Sequence, residues 1–507
     1  MKKYYYILIL INVLMSCSKT ETDIIEKEEE ITNLAPNNFD ITVINISDND
    51  ALINWTVASD PDDDDVKYNV YLNGDTIAEN ISELTYQFTA LNELTSYSGK
   101  VVAVDSNNNE TSRTFSFTTE KYYLKFLKEY YFEDSSTISV GIPTNMIKTT
   151  DGGYVVVGIS TDDNGFSNQL FALKIDSEGN EIWKYFYGYN INSLLLYFNV
   201  TQLKDGGFVI ATSEFIIKID SNGNEVWYTT NSNYVNPDYD FLITYGEMFS
   251  AKEDSQGNIF IVGYRDSANP IEDPISQYGV LTKLNNLGQI IWEKEFKSTY
   301  RSQFNDLIID ANDNIIILGT AETSGVTEVN GLPNGVEQID PWVIKTNNNG
   351  EIIWDKYYIN IGYDFTKKII KTNDGNYVFT GYSWGAYDIG SGTIFKITPN
   401  GDEVWENNIS LSSVYSIDET IDEGFITVGH IDSSTFDILG ISKLTSNGNE
   451  EWSNSYMQDY SHLRGKSIFQ TKDEGYIFLS SYGKNYYYGD DRAKILIYKT
   501  DPEGNYD

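Results

Sequence analysis

The sequence predicts an all-β protein, with a small two-sheet sandwich followed by a large array of repeated four-stranded units. Its 507 residues include 39 tyrosines, 24 phenylalanines and nine tryptophans but only ten prolines, and aromatic side chains favour strands. Short runs of alternating polarity, typical of strands with one buried face, recur along the chain. From Asp151 onward, two sequence signatures return seven times, which indicates a repeat architecture.

The charge and the cysteine content exclude several classes of function. The chain carries 75 acidic and 35 basic residues, a formal charge of −40, which argues against binding to nucleic-acid phosphates or anionic lipid headgroups. A single cysteine excludes a disulfide framework and thiolate zinc clusters, and two histidines argue against a histidine-rich metal site. We therefore expect no nucleic-acid partner, and calcium is the only cofactor that the sequence suggests.

Residues 1–16 have the features of a lipoprotein signal peptide. Two lysines precede a mostly apolar stretch at 4–15, which is too short for a membrane span, since a spanning helix needs about 20 residues. The motif Leu-Met-Ser before Cys17, the only cysteine, resembles a bacterial lipobox. The resemblance implies cleavage before Cys17 and acylation of its sulfur and of the new amino terminus, which anchors the protein in a membrane. The alternative is an ordinary secreted protein with an incidental cysteine.

Residues 17–33 comprise the lipidated cysteine and a polar, acidic tether. The segment is dense in charge and has too little apolar surface to fold alone. An acidic stretch directly after a lipidated cysteine resembles the signal that directs some Gram-negative lipoproteins to the outer face of the outer membrane. The resemblance implies a protein that is lipid-anchored in the outer membrane and faces the exterior.

Residues 34–120 are predicted to form a sandwich of the immunoglobulin-like class. Short alternating runs recur there at the spacing expected of such a sandwich. The sequence LNELTSYSGKVVAVD, at 91–105, resembles the fibronectin type III module. The resemblance implies that Trp55 is the buried tryptophan of the second strand and that Tyr97 forms the tyrosine corner.

The densest acidic run of the chain lies inside this domain, at 60–65. Its carboxylates, with Asp60, Asp62 and Asp64 as the candidate ligands, offer the oxygen atoms that calcium prefers. The alternative is a solvated loop between two strands, because neither an EF-hand spacing nor a second ligand segment accompanies the run.

Residues 121–507 consist of one unit that occurs seven times. In every unit a glycine follows a lysine by five positions, and in six units a tryptophan follows the same lysine by nine positions. These tryptophans are Trp183, Trp227, Trp292, Trp354, Trp405 and Trp452. Because such residues recur in every unit, we interpret them as packing residues and the lysines as structural ion-pair partners.

Each unit also begins with a turn followed by an apolar strand, as in DGGYVVVG from Asp151. The two signatures together place four strands in a unit, which is typical of a propeller blade, so seven units predict a seven-bladed β-propeller. The unit resembles the DGGY-type propeller repeats of secreted bacterial proteins and, more distantly, those of quinoprotein propellers. Its turn spacing differs from the quinoprotein docking repeat and from the sialidase Asp-box, so neither enzyme family's motif is present.

The two ends of the repeat array predict how the ring closes. The last unit stops after its third strand, and an additional strand is predicted at 124–132, before the first unit. This strand resembles the outer strands of the other units and can therefore complete the last blade. Closure of this kind removes a free sheet edge.

The predicted binding face carries the long, variable loops, since the turns of the opposite face are uniformly short. Variable loops on a rigid scaffold commonly bind ligands, and the aromatic rings in these loops suit a sugar ring or a protein partner. The predicted ligand-binding residues are Trp342, Trp384, Tyr387, Tyr486, Tyr487, Tyr488, Tyr239 and Arg492. The alternative is that the aromatic residues in these loops only reflect the tyrosine-rich composition of the whole chain.

No catalytic motif accompanies these loops. His430 and His462 are predicted on the same face, but no nucleophile motif such as GxSxG occurs beside them. We therefore predict a non-enzymatic cell-surface lipoprotein whose loop face binds a glycan or a protein partner. Two alternatives stay open because propellers host many functions: a polysaccharide lyase or hydrolase, and a structural docking subunit of an outer-membrane complex.

Overall fold

The protein is built from strands. The computed structural model describes residues 32–130, 132–134, 137–161, 168–188, 198–212, 215–230, 247–266, 277–298, 301–323, 338–359, 363–384, 390–433, 437–457, 462–483 and 494–506. These ranges contain β-strands and turns but no α-helix, and so no helical segment that could cross a lipid bilayer. The chain divides into two compact units, one that ends at Tyr122 and one that begins at Tyr123.

The first unit is a sandwich of two antiparallel sheets. One sheet, in the order β1-β2-β5, contains β1 (Ile41–Ile44), β2 (Ala51–Trp55) and β5 (Thr85–Phe88). The other, in the order β4-β3-β6-β7, contains β3 (Lys67–Leu72), β4 (Asp75–Ile81), β6 (Ser96–Val104) and β7 (Glu110–Thr118). Buried and partly exposed residues alternate along β2, so each sheet turns one face to the shared core.

Aromatic side chains fill the sandwich core. Trp55 is buried and packs edge-on against Tyr68, with ring centroids 5.5 Å apart. Tyr97 is buried as well, and its hydroxyl oxygen accepts a hydrogen bond from the backbone N–H of Asn92 at 2.9 Å. A tyrosine hydroxyl that binds the backbone a few residues upstream is the tyrosine corner of immunoglobulin-like domains. Trp55 and Tyr97 thus have the environments that the sequence resemblance implies.

The second unit contains seven antiparallel sheets that follow one another along the chain and are numbered 1 to 7. Sheet 1 comprises β10 (Thr137–Lys148), β11 (Tyr154–Thr161), β12 (Asn168–Ile175) and β13 (Glu181–Tyr187). Sheet 2 comprises β14 (Asn199–Gln202), β15 (Phe208–Ala211), β16 (Phe215–Ile219) and β17 (Glu225–Thr230). Sheet 3 comprises β18 (Glu247–Glu253), β19 (Ile259–Asp266), β20 (Gln277–Leu284) and β21 (Ile290–Phe296). Sheet 4 comprises β22 (Ser302–Ile309), β23 (Ile315–Glu322), β24 (Ile339–Thr346) and β25 (Ile352–Tyr357).

Sheets 5 and 6 repeat the same four-strand order, and sheet 7 takes its fourth strand from elsewhere. Sheet 5 comprises β26 (Tyr363–Lys371), β27 (Tyr377–Trp384), β28 (Ser391–Ile397) and β29 (Glu403–Ile409), and a parallel bridge links β26 to β24. Sheet 6 comprises β30 (Ser413–Glu419), β31 (Phe425–Asp432), β32 (Asp437–Leu444) and β33 (Glu450–Tyr456). Sheet 7 comprises β34 (His462–Gln470), β35 (Tyr476–Gly483), β36 (Lys494–Thr500) and β8 (Phe126–Tyr130).

The strand that completes sheet 7 lies more than 360 residues before its partner in the chain. β8 runs antiparallel to β36, with Phe126 opposite Lys499 and Tyr130 opposite Ile495. The predicted strand at 124–132 is therefore present but shorter. Its last predicted residue belongs to β9 (Phe132–Asp134), which pairs with β10 and extends sheet 1.

The repeat lysines form ion pairs inside their own sheets. Each lysine on the third strand reaches an aspartate at the turn between the first and second strands, as predicted for structural partners. The pairs are Lys174–Asp151, Lys218–Asp205, Lys283–Asp254, Lys345–Asp310, Lys396–Asp374, Lys443–Asp422 and Lys499–Asp473, with nitrogen–oxygen distances of 2.6–3.8 Å. Because most of these ammonium groups are buried, an unpaired lysine there would be costly.

The repeat tryptophans connect each sheet to the next one. Trp183 on sheet 1 donates its indole N–H to the carbonyl oxygen of Ser221 in sheet 2, at 3.2 Å. The same turn contains Gly223, whose φ of +84° favours glycine and whose position leaves no room for a Cβ beneath the Trp183 and Tyr185 rings. On β8, Phe126 takes the place of the tryptophan, because it pairs with the repeat lysine of sheet 7 in the same register.

Seven hydrophobic clusters lie between the sheets. Six of them each join two sheets that are consecutive in the chain. The seventh joins the first and last sheets, since Met146 and Val156 of sheet 1 pack with Ile477 and Leu479 of sheet 7. Every sheet therefore shares apolar contacts with two others.

Candidate functional site

A β-bulge interrupts the first strand of six sheets at an equivalent position. The bulged residue has no partner in the register with the second strand, and a bulge commonly re-aims a side chain. The bulged residues are Thr144, Phe249, Asn305, Lys367, Tyr415 and Lys466. The bulged residue is Lys367 in sheet 5, Tyr415 in sheet 6 and Lys466 in sheet 7.

These residues converge around one aromatic ring. The Lys367 and Lys466 ammonium nitrogens lie 5.7 and 5.9 Å from the centroid of the Tyr415 ring. The imidazole of His430 stacks on the same ring, with centroids 5.5 Å apart and planes 23° apart. We call the group formed by Lys367, Tyr415, His430, Arg464 and Lys466 the Tyr415 cluster. Cations within about 6 Å of a tyrosine ring are attracted to its face.

Two further rings extend this surface on sheet 5. Lys367 also lies 5.6 Å from the centroid of the Tyr382 ring. Tyr382 in turn stacks on Phe365, with centroids 5.1 Å apart and planes 26° apart. All three side chains are partly exposed. The site therefore presents half-buried aromatic faces next to positive charge.

Burial and like charge make the two lysines easier to deprotonate. The pKa of Lys367 is lowered to about 8, first by burial and second by the charge of Arg464. The pKa of Lys466 is also lowered to about 8, by burial and then by the charges of Arg464 and Lys367. Lysine ordinarily titrates near 10.4. Three positive groups thus lie close together in a chain whose net charge is −40.

His430 of this cluster and the second histidine, His462, both lie close to Asp437. The backbone N–H of Asp437 donates to His462 Nδ1 at 3.1 Å, and Arg464 Nε donates to Asp437 Oδ2 at 2.5 Å. His430 Nε2 lies 2.9 Å from Asp432 Oδ1, while its buried Nδ1 has no hydrogen-bond partner among the described residues. Burial lowers the pKa of His430, although Asp437 and Asp432 act in the other direction.

Three of these side chains could hold a metal ion. Candidate ligand atoms of His430, Asp432 and Asp437 lie within 4.8 Å of one another, and an imidazole with two carboxylates suits several divalent metals. Arg464 already donates a hydrogen bond to the Asp437 carboxylate, however, and its positive charge opposes the binding of a metal cation to that carboxylate. Burial disfavours the charged form of Asp437, but Arg464 outweighs it and holds the pKa of that carboxyl below its usual value.

The carboxylates of the acidic run at 60–65 bind different groups of the sandwich domain instead of gathering around one point. Asp60 Oδ1 accepts hydrogen bonds from the backbone N–H groups of Asp62 and Asp64. Asp62 Oδ2 accepts from the backbone N–H of Leu34, and Asp64 Oδ1 accepts from the Ser106 hydroxyl. The structure thus gives these carboxylates roles in ordering their loop, and calcium binding there stays a prediction.

The structure corrects one predicted binding residue. Trp342 lies within β24 and is 3% exposed, because its ring is packed between Phe304 and Tyr357. Its indole N–H donates to Asp355 at 3.2 Å. The prediction that Trp342 presents its ring to a ligand is therefore wrong. Trp384 is the last residue of β27, where its backbone pairs with Tyr363.

The predicted lipidation site and the remaining predicted ligand-binding residues lie outside the described ranges. These residues are Cys17, Tyr239, Tyr387, Tyr486, Tyr487, Tyr488 and Arg492. Lys367, Tyr415 and Lys466 are not among the binding residues that the sequence predicts. The sequence does contain one signal for them, because each precedes the aspartate at the first turn of its repeat by seven positions, as Tyr415 precedes Asp422.

With this geometry established, comparisons with known proteins identify one domain. The model of the fibronectin type III domain matches residues 34–118. Residues 34–118 form a fibronectin type III domain. No curated protein matched the chain.

Solved structures resemble the chain only distantly. A protein of unknown function from Dyadobacter fermentans DSM 18053 is 10% identical, covers 74% of this chain and 99% of its own, and has a TM-score of 0.41. An ulvan lyase is 11% identical, with coverages of 74% and 97% and a TM-score of 0.46. A rhamnogalacturonan lyase from Bacillus licheniformis is 12% identical, with coverages of 92% and 90% and a TM-score of 0.35.

Proposed function

We propose that the protein is a cell-surface binding protein that recognises a glycan at the Tyr415 cluster. The observation that carries this proposal is the set of partly exposed rings of Tyr415, Tyr382 and Phe365 beside three cationic side chains. An aromatic face packs against the apolar face of a sugar ring, and neighbouring polar groups bind its substituents. A cationic, aromatic patch of this kind is well suited to selective binding of a sugar that carries negative charge.

The proposal includes a closed, seven-bladed propeller formed by sheets 1 to 7. Three features support closure: the apolar cluster between sheets 7 and 1, the pairing of β8 with β36, and side-chain hydrogen bonds between first strands. Among the latter, the Ser467 hydroxyl of sheet 7 accepts from the backbone N–H of Met146 in sheet 1 at 2.9 Å. In such a ring the first strands line the centre, so the bulged side chains of sheets 5 to 7 would meet at its entrance.

The proposal also includes a lipid anchor at Cys17 and exposure on the outer membrane. The basic start, short apolar stretch and lipobox-like motif before Cys17 support the anchor, and the acidic segment after it supports an outward address. The fibronectin type III domain at 34–118 would then act as a spacer between the membrane and the glycan-binding propeller.

A polysaccharide lyase is the second candidate, and one observation favours it. Lys367 and Lys466, with pKa values lowered to about 8, flank the Tyr415 hydroxyphenyl group. A base that titrates near the working pH is suited to removing a proton from a sugar. Cleavage by elimination would leave an unsaturated sugar whose ultraviolet absorbance reports the activity.

A glycan array probed with the full chain tests the proposed function. We expect binding to a limited set of polysaccharides, without an increase in ultraviolet absorbance when these are incubated with the protein. Binding with rising absorbance would instead identify a lyase. Failure to bind any glycan would refute the proposal and leave docking to a protein of the outer membrane as the remaining function.

A further inference from the structure

The cationic side chains of the Tyr415 cluster come from two sheets and flank one ring. Lys367 lies on β26, Arg464 and Lys466 lie on β34, and Tyr415 lies between them on β30. Because the two lysines occupy bulges, their side chains are directed to the same side of the sheets as Tyr415. The fold thus brings together charges that are about 100 residues apart in the sequence.

Two carboxylates beside this cluster are paired with its members Arg464 and His430. Asp437 binds Arg464 and His462, and Asp432 binds His430. Among the described residues, no carboxylate lies within 4.0 Å of the Lys466 ammonium group. The repeat lysines, by contrast, each have an aspartate partner. Among the described residues, Lys466 therefore lacks the carboxylate partner that each repeat lysine has.

Like charges that are held together repel one another, and this repulsion is stronger where water is partly excluded. An anion placed between Lys367, Lys466 and Arg464 would relieve the repulsion and form charge-assisted hydrogen bonds. The overall charge of −40 repels anions at long range, but this repulsion is screened beyond about 8 Å at physiological ionic strength. The local positive charge therefore decides binding at contact distance.

The adjacent rings indicate that the anion is attached to a sugar. Tyr415 and Tyr382 offer aromatic faces within 6 Å of the Lys367 ammonium group. A uronic acid or a sulfated sugar presents an apolar ring face for stacking and a charged group beside it. A free phosphate or small carboxylate would use the cations and leave the rings unused.

We infer that the Tyr415 cluster recognises the carboxylate or sulfate group of an acidic polysaccharide, with Lys367, Lys466 and Arg464 binding the charge and Tyr415 packing against the sugar ring. This inference rests on the proposed glycan binding and adds the chemical class of the ligand. The lysines determine specificity between charged and uncharged forms of the same polysaccharide.

Calorimetric titration of the full chain with matched pairs of oligosaccharides tests the inference. One pair is oligogalacturonate and its uncharged methyl ester, and the other is a sulfated galactan oligosaccharide and its desulfated form. These pairs distinguish carboxylate from sulfate recognition. We expect the charged member of at least one pair to bind at least about tenfold more tightly than its uncharged counterpart, the effect of about one charge-assisted hydrogen bond.

Substitutions assign the effect to the cluster. Lys367→Met and Lys466→Met should each weaken binding of the charged oligosaccharide about tenfold and leave the uncharged form unaffected, whereas Lys466→Arg should retain affinity. Lys252→Met is the matched control, because Lys252 is also a half-buried lysine on a first strand but lies on β18 of sheet 3. Thermal melting of each variant checks that it is folded.

The outcomes separate this inference from the proposed function. If charged and uncharged oligosaccharides bind equally, or if the methionine variants bind the charged form as the wild type does, the inference is wrong while glycan binding stands. If no oligosaccharide binds and the array is also negative, the proposed function itself is wrong.

Discussion

Replacing Phe126 with alanine should weaken the junction between sheets 7 and 1. A Cβ on Gly179 of sheet 1 would lie 2.9 Å from the Phe126 ring, so the ring rests directly on that turn. Phe→Ala costs about 3–5 kcal/mol at a fully buried site, and Phe126 is partly buried, so we expect a loss of about 2 kcal/mol. Tyr130→Phe removes the hydroxyl that donates to the Gly179 carbonyl at 2.6 Å. We expect this substitution to lower the free energy of unfolding by about 1 kcal/mol.

Urea unfolding followed by tryptophan fluorescence measures both losses in the full chain. Tyr122→Ala is the control, because Tyr122 is 54% exposed and surface substitutions change stability by about 0.5 kcal/mol or less. A chain that starts at 134 lacks β8 and should melt well below one that starts at 121. If Phe126→Ala matches the control, or if both shortened chains melt together, the assignment of β8 as the closing strand is refuted.

Three other outcomes are expected. Cys17→Ala should move the protein from the membrane fraction to the soluble fraction, and full retention would place the anchor elsewhere. Trp292→Ala should lower the free energy of unfolding by about 3 kcal/mol, measured in urea, because this ring packs partly buried against the core of the next sheet. Asp364→Asn should stabilise the protein more at pH 8 than at pH 5, and equal effects in urea titrations at the two pH values would contradict this.

The sign of the Asp364 prediction follows from its surroundings. Burial, together with the negative charges of Asp340 and Glu406, raises the pKa of Asp364 to about 6, although Ser383 acts in the other direction. The folded protein therefore holds a proton that the unfolded chain releases near pH 4. The stabilising contribution is complete below pH 4 and is lost as the pH rises through 6, by about 3 kcal/mol in total.

Regular spacing made much of the repeat architecture predictable from sequence. A lysine, a glycine and a tryptophan at fixed intervals, such as Lys174, Gly179 and Trp183, fix a strand, a tight turn and a second strand. The glycine has φ +76°, a conformation that other residues rarely adopt. The missing fourth strand of the last unit likewise predicted a partner at 124–132, which the structure supplies as β8.

The residues of the candidate site are less predictable from sequence than the repeat architecture, because the direction of a side chain depends on strand register. The sequence predicts Trp342 in a long loop, but β24 begins at Ile339 and directs the Trp342 ring into the hydrophobic cluster between sheets 3 and 4. Lys367 and Tyr415 lie in strands that look regular in sequence. Their bulges, and the approach of sheets 5 and 6, arise only from the tertiary structure.

A crystal structure of the full chain with the tightest-binding charged oligosaccharide would show whether an acidic sugar binds at the Tyr415 cluster. We predict a carboxylate or sulfate group within hydrogen-bonding distance of the Lys367 and Lys466 ammonium groups, with the sugar ring against Tyr415. An oligosaccharide bound at another surface, with the cluster unchanged, would contradict the claim.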